Sequence, residues 1–256
     1  MKKTMLASVL VAAALGEVAA QAQTFTYNPG DVLAAFRNGG ANDLVVDLGS
    51  VANFQTPGYS TSINLASDLT TTFGTLNGLY WSVFTYDANG TYAPANTVFI
   101  SDPQATVGVP NAPLSITSAQ IPVGNQIQSL VNGLSSTYGT ILANQVIELP
   151  STLGSNTGGS PAASYTVAAG PNADFNGTYG HNFENVSSSS ATTGSDLFQE
   201  DPGARRSAVA AQNLGTVTLD SAGNLSFQAT PEPSTWAMVG TGLMSLIAFR
   251  RFAKKN

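Results

Sequence analysis

The stretch Gly78-Leu-Tyr-Trp-Ser-Val-Phe-Thr-Tyr86 constrains this chain more than any other. It is aromatic and β-branched, and Asp87-Ala-Asn-Gly90 closes it with a turn signal. Side chains alternate across a strand, so Trp81, Val83 and Thr85 share one face while Tyr80, Ser82, Phe84 and Tyr86 share the other. Both faces carry large apolar groups. Such a strand has to be covered on both sides, which makes it central to a sheet. Asn96-Thr-Val-Phe-Ile-Ser101 follows as its hairpin partner.

Other segments fit the same architecture. Asp31 to Arg37 reads equally as strand or helix, and Asn38-Gly39-Gly40 ends it. Asp43 to Gly49 reads as a strand with β-branched residues at its centre. Ser67 to Phe73 fits a short helix with Ser67 as its N-cap. Pro103 to Pro122 is loop-rich. Asn125 to Ser136 places Ile127, Leu130, Val131 and Leu134 at helical spacing and is the best helix candidate of the body. Its tail leads toward a second helical turn before Gln145. Residues 151–164 read as an exposed Ser/Gly-rich loop, Ser164 to Val167 as a return to the sheet, and 184–196 as a solvated polar tract. Leu214 to Phe227 reads as a hairpin turning at Asp220 to Asn224. Short strands and frequent turns predict a mainly β fold: an antiparallel β-sandwich with one or two short helices.

The two ends stand apart from this body. Lys2 and Lys3 precede an apolar run from Met5 to Leu15, and Ala20-Gln21-Ala22 is a small-x-small site. That is the pattern of a secretory signal peptide, a signal helix over 1–22 cleaved after Ala22. Between the ends, residues 24–230 hold 13 acidic and 3 basic residues (Arg37, Arg205 and Arg206), leaving a net charge of −10. Such a surface repels nucleic acid, so no nucleic-acid partner is expected. The chain has no cysteine, which excludes disulfides, thiolate metal sites and a Cys nucleophile.

At the other end, Pro231-Glu232-Pro233 is followed by an uncharged run from Trp236 to Phe249, then Arg250, Arg251, Lys254 and Lys255. These 14 residues reach roughly 21 Å as a helix, short of a hydrocarbon core of about 30 Å. Ser234, Thr235 and the snorkelling arginine stems close most of that gap, giving a transmembrane helix over 235–251. The basic cluster acts as a stop-transfer end and places the C-terminus in the cytoplasm. Pro-Glu-Pro, an apolar helix and a basic cluster, in that order, resemble the PEP-CTERM sorting signal of exported bacterial proteins. The resemblance implies that exosortase, a membrane-embedded transpeptidase, recognises Pro231, Glu232 and Pro233. It implies removal of the tail and delivery of the body to the cell surface or to extracellular polysaccharide. Gly30 to Phe54 and the closing hairpin are also similar to segments of uncharacterised PEP-CTERM proteins.

The body offers little that reads as chemistry. His181 is the only histidine, so no multi-His metal site is available, and no Gly-x-Ser-x-Gly elbow surrounds a serine. Asp174 to His181 reads as a polar loop. Glu148, Glu184, Glu200 and Asp201 could supply paired carboxylates for glycoside hydrolysis, but nothing in the sequence fixes their separation. Asp87 to Thr91 begins like a calcium loop, yet lacks the sixth-position Gly and twelfth-position Glu of a helix-loop-helix site. A plain turn explains it as well, as it does Asp220 to Asn224. Arg205-Arg206 beside Asp201-Pro-Gly fits a surface ion pair or a proteolytic spot. Sequons at Asn89, Asn176, Asn185 and Asn224 carry little meaning in a bacterial protein. Tyr59, Tyr92 and Tyr179, on expected loops, are candidate carbohydrate contacts.

The expected organisation is a signal peptide (1–22), an exported β-rich domain (23–229) and a sorting signal (230–256). The expected role is a cell-surface or matrix protein with a structural or interacting body, not an enzyme and without a cofactor or metal. The expected partners are the Sec machinery, signal peptidase, exosortase, the membrane through the C-terminal helix, and extracellular polysaccharide. A carbohydrate-binding module or, less favoured, a secreted hydrolase is the alternative.

Overall fold

The computed structural model describes residues 28–112, 115–116, 120–138, 146–152, 164–175, 182–202 and 209–230. The elements begin with β1 (Asp31–Arg37), β2 (Asn42–Ser50), α1 (Val51–Phe54), β3 (Ser60–Asn64) and α2 (Ala66–Phe73). The central part follows as β4 (Tyr80–Asp87), β5 (Thr97–Pro103), β6 (Ser115–Ile116), α3 (Gln120–Tyr138) and β7 (Val146–Pro150). The last part contains α4 (Tyr165–Ala169), β8 (Asn185–Val186), β9 (Thr193–Glu200), β10 (Val209–Ala210), β11 (Gln212–Leu219) and β12 (Asn224–Ala229).

β4 lies where its two apolar faces require, between β1 and β5 in one antiparallel sheet ordered β3-β12-β11-β9-β5-β4-β1-β2-β7, with β8 paired to β4. Phe84 and Tyr86 enter one core, Trp81 and Val83 the other. β1, ambiguous by pattern, is a strand because β2 and β4 pair with it on both sides. On the first face, α3 and α4 cover β1, β2, β4 and β5. Ile127, Leu130, Val131 and Leu134 all point into this core, as their spacing predicts. Gly124 lets α3 approach: a Cβ there would stand 2.2 Å from the Tyr86 ring.

On the second face the sheet curls. Residues of β1 and β2 share a core with Val217, Leu225 and Phe227 from β11 and β12, and α1 and α2 pack into the gap. The Phe54 and Phe227 rings stand 4.7 Å apart, bringing α1 onto β12. Gly223, at φ +79° in the β11–β12 turn, accepts the Leu65 N–H and sets α2 against that turn.

Several expectations change. The expected sandwich of two sheets is replaced by one curled ten-stranded sheet; a second sheet, β6 with β10, has two strands of two residues each. The reason is β9, which pairs with β5 and β11 at once and joins what would be separate layers. The polar tract over 184–196 is therefore only partly solvated: Ser195 and Asp196 are fully buried in β9. Gln104 and Asn111 satisfy Asp196, with Gln104 Nε2 to Oδ1 at 2.7 Å and Asn111 N to Oδ2 at 2.6 Å. Ser164 to Val167 does not resume the sheet. Ser164 Oγ caps α4 by accepting Val167 N–H at 3.2 Å, and Asp43 accepts Thr166 N–H and Oγ1–H at 2.7 and 2.6 Å. Ser67 is not an N-cap: α2 starts one residue earlier, with Leu65 buried at the cap and Asn64 Oδ1 accepting Ala66 N–H.

Four helices occur among the described residues, against one or two expected, and α3 runs 19 residues. None of the described helices is long and apolar enough to cross a membrane. The expected signal peptide with Ala20 and Ala22, and the expected C-terminal transmembrane helix, lie outside the described residues, as does the segment after α3.

Candidate functional site

Sheet register builds a cleft at one end of the α3/α4 face. Arg37 lies opposite Tyr80, and Tyr80 opposite Val186. Directly opposed residues point to the same face, so the three form a row across β1, β4 and β8. Arg37 ends the buried run of β1. Its guanidinium carbon lies 5.9 Å from the Tyr80 ring centre and 5.8 Å from that of Tyr165. Both distances fall within cation–π range.

Glu184 precedes β8 and meets Arg37 in a forked pair. Arg37 Nη2 donates to Glu184 Oε2 at 2.7 Å, and Nε lies 2.7 Å from Oε1 as an ion contact bent off the hydrogen-bond axis. The side chains are 13% and 1% exposed, so the pair is largely desolvated. Burial alone would lower the Arg37 pKa; the Glu184 carboxylate outweighs it and leaves the guanidinium more basic than usual. Below them the Tyr165 hydroxyl lies 2.6 Å from Ser82 Oγ. Burial, then the Glu184 charge, pushes that phenol well above its ordinary pKa, so it stays neutral. Asp43 is also raised by burial, with its Thr166 hydrogen bonds opposing the shift.

The wall opposite is the turn after α4. Ala173 and Phe175 adopt φ of 55° and 49°, a left-handed conformation uncommon for non-glycine residues. The core holds them there. The Phe175 ring packs edge-on against Phe84 at 5.1 Å, and Phe183 N–H donates to Ala173 O at 3.1 Å. Pro171 and Asn172 form the exposed rim above, with Gly39 and Asn182 across from them. The cleft, open to solvent, has a volume of about 520 Å³, within the size range of small-molecule sites.

A second concavity of about 440 Å³ lies over β3, β12 and β11, edged by serine and threonine hydroxyls. Ser62 and Ser226 bond each other across it at 2.8 Å.

The carboxylates considered for hydrolysis fall in three places. Glu148 is exposed on the edge strand β7 and accepts from Asn42 and Thr72. Glu184 is committed to Arg37. Glu200 ends β9 and Asp201 follows it, five strands from β7 in the pairing order. Glu200 is buried, and burial with the Asp201 and Asp102 charges raises its pKa to about 8.

Both candidate calcium loops are turns closed by their own aspartate. Asp87 accepts backbone N–H from Gly90, Thr91, Tyr92 and Ala93. Burial works to raise its pKa, but these bonds, Tyr92 foremost, leave it below the ordinary value. Asp220 accepts from Asn224 and Ala222. Among the described residues, no group of three His, Asp or Glu is arranged to hold a metal.

Tyr59 and Tyr92 are not surface platforms. The Tyr59 ring packs on Phe54 at 5.6 Å, and Tyr92 fills the space a side chain at Gly30 would need. The exposed large apolar groups of the cleft region are instead Tyr80 at 43% and Val186 at 45%. Sequence reasoning placed Tyr80 on the correct face of a strand but had no signal for its neighbours, because register is a property of pairing. Of the sequons, Asn89 is exposed, while the Asn185 and Asn224 side chains bond within the fold. His181, Tyr179, Asn176, Arg205 and Arg206 lie outside the described residues, as do Pro231, Glu232, Pro233, Arg250 and Arg251.

No curated protein and no solved structure matches the chain. One family model does, over residues 229–251. This match spans Pro231-Glu232-Pro233, the apolar run and the two arginines, so the β-rich body is followed by a PEP-CTERM protein-sorting motif.

Proposed function

We propose that this chain is an exported bacterial protein whose tail is processed by exosortase and whose body serves at the cell surface or in the extracellular matrix. The single observation carrying the proposal is the sorting-motif match at residues 229–251. The N-terminal pattern ending at Ala22 supports entry through the Sec machinery and cleavage by signal peptidase. The uncharged run from Trp236 with the basic cluster behind it supports a membrane-held intermediate with the tail inside and the body outside. The body then acts as an interaction or structural module, and the commitment of Glu184 to Arg37 and of Glu148 to Asn42 and Thr72 favours that over hydrolysis.

Replacing Pro231, Glu232 and Pro233 together by alanine in an exosortase-bearing host tests the route. Loss of tail removal and accumulation of the full-length form in the membrane fraction are expected. Unchanged processing and surface release of the triple variant would refute it.

A further inference from the structure

We infer that the Arg37–Tyr80–Glu184 cleft binds one ring of a neutral saccharide. The inference deepens the interaction-module half of the reading above and is independent of the sorting half.

Tyr80 in the cleft, with Val186 beside it and just outside the lining, calls for a ligand with a flat apolar side. Tyr80 and Val186 are cross-strand neighbours on one face, 43% and 45% exposed, and together offer an aromatic ring beside an aliphatic patch. They persist in solvent although the rest of β4 is buried. The C–H face of a pyranose fits such a surface. Arg37, from the opposite neighbour on β1, holds Tyr80 in place through its cation–π contact.

Charge selects against ions. Arg37 would attract an anion were it unpaired, but both its Nε and Nη2 face the Glu184 carboxylate at 2.7 Å. Glu184 is likewise occupied and does not invite a cation. The two charges cancel at the base of the cleft, with Asp43 and Tyr165 behind them. Capturing an ion would require breaking a desolvated pair, which is strongly unfavourable.

The rim supplies groups that hydroxyls recognise. Asn182 Oδ1 accepts the Glu184 N–H at 2.8 Å, which turns its amide NH2 the other way. Asn172 stands exposed on the facing turn. Primary amides both donate and accept, matching the mixed character of sugar hydroxyls. The wall between them is held by the buried Phe175 and the Phe183–Ala173 bond, so the site is formed before a ligand arrives. A volume of about 520 Å³, open to solvent, admits a pyranose ring.

The exported protein, as released by an exosortase-bearing host, is purified and titrated calorimetrically with maltotriose, cellotriose, mannotriose and tri-N-acetylchitotriose. Trigalacturonic acid and trilysine serve as charged probes. Saturable binding of at least one neutral trisaccharide, with Kd of about 1 mM or tighter, is expected. Tyr80→Ala should weaken it about tenfold or more, Tyr80→Trp should retain it, and Val186→Asp should weaken it severalfold. Thermal unfolding checks that each variant folds, and Val186→Asp, at an exposed position, decides the case if Tyr80→Ala does not. Tail processing in the host should be the same for all variants, which separates this test from that of the sorting route. Three results would overturn the inference: no saturation by any neutral trisaccharide, tighter binding of a charged probe, or Tyr80→Ala and Val186→Asp both binding like the parent.

Discussion

Glu200 closes β9 with both carboxylate oxygens buried and without a hydrogen-bond partner among the described residues. Its pKa rises to about 8 through burial, then through the charges of Asp201 and Asp102. Asp47 rises to about 7, again chiefly through burial, although Gly49 N–H donates to its Oδ1 at 2.7 Å. A carboxyl raised in the folded state binds more protons there than in the unfolded chain, so stability falls as pH increases between the two pKa values. For Glu200 the window runs from the ordinary 4.5 to about 8, and for Asp47 from 3.8 to about 7. Asp87 and Asp220 act oppositely, their folded-state pKa values being lowered, and their contributions fade only as the medium becomes more acidic than the ordinary carboxylate range. Stability should therefore be greatest in mild acid and decline toward pH 8. Glu200→Gln should flatten that decline, raising the melting midpoint at pH 8 while leaving it nearly unchanged at pH 5. A parallel pH profile for parent and variant would contradict this account.

At the scale of elements, propensity and packing disagree in instructive places. Gly124 weakens α3 by about 1 kcal/mol relative to alanine, yet the helix keeps it because the Tyr86 ring occupies the space of a side chain. Tyr86 is in turn fixed by its hydroxyl, which donates to Asn96 Oδ1 at 2.7 Å. Gly124→Ala should be net destabilising, since overpacking costs about 1–3 kcal/mol and exceeds the gain in propensity. Urea unfolding reads the difference; a more stable variant would show that α3 can shift away from the sheet. α4 presents the reverse case. Thr166 and Val167 favour strand, but Ser164 at the cap and Asp43 from β2 hold the first turn of a helix. Only Ser164 was present in the local sequence. Asp43 lies 123 positions away from Thr166, so no window of the chain contains the cause.

Over the whole molecule, one sheet carries two cores. Strands near its middle, β5, β4 and β9, have neighbours on both edges, while β3 and β7 form the ends of the pairing path. Backbone amides of Ile100 and Phe198 should exchange with solvent at rates set by global unfolding, and those of Ser60 to Asn64 much faster. Hydrogen exchange followed by mass spectrometry checks this. If β9 exchanged as an independent unit, the sheet would be two weakly joined layers after all. That β9 lies centrally could not be read from Thr-Gly-Ser-Asp-Leu-Phe-Gln-Glu, whose polar residues suggest solvent. Their burial becomes tolerable only when Gln104, Asn111 and Asn185 arrive to bond them.

The sequence by itself determined the features written in periodicity and local chemistry. These are the two-faced strand at Tyr80 to Asp87, its hairpin with Thr97 to Pro103, the apolar stripe of α3, the Asp220 turn and the sorting motif at 229–251. Each depends on residues within a few positions of one another. Tertiary structure alone decided the number of sheets, the fate of the polar strand β9, the helix at Tyr165 and the cleft. Those depend on which distant strands pair and in what register, and a shift of one residue would send Tyr80 to the opposite face. Arg37, Tyr80 and Glu184 meet because β1, β4 and β8 lie side by side, a fact of pairing that no local pattern encodes.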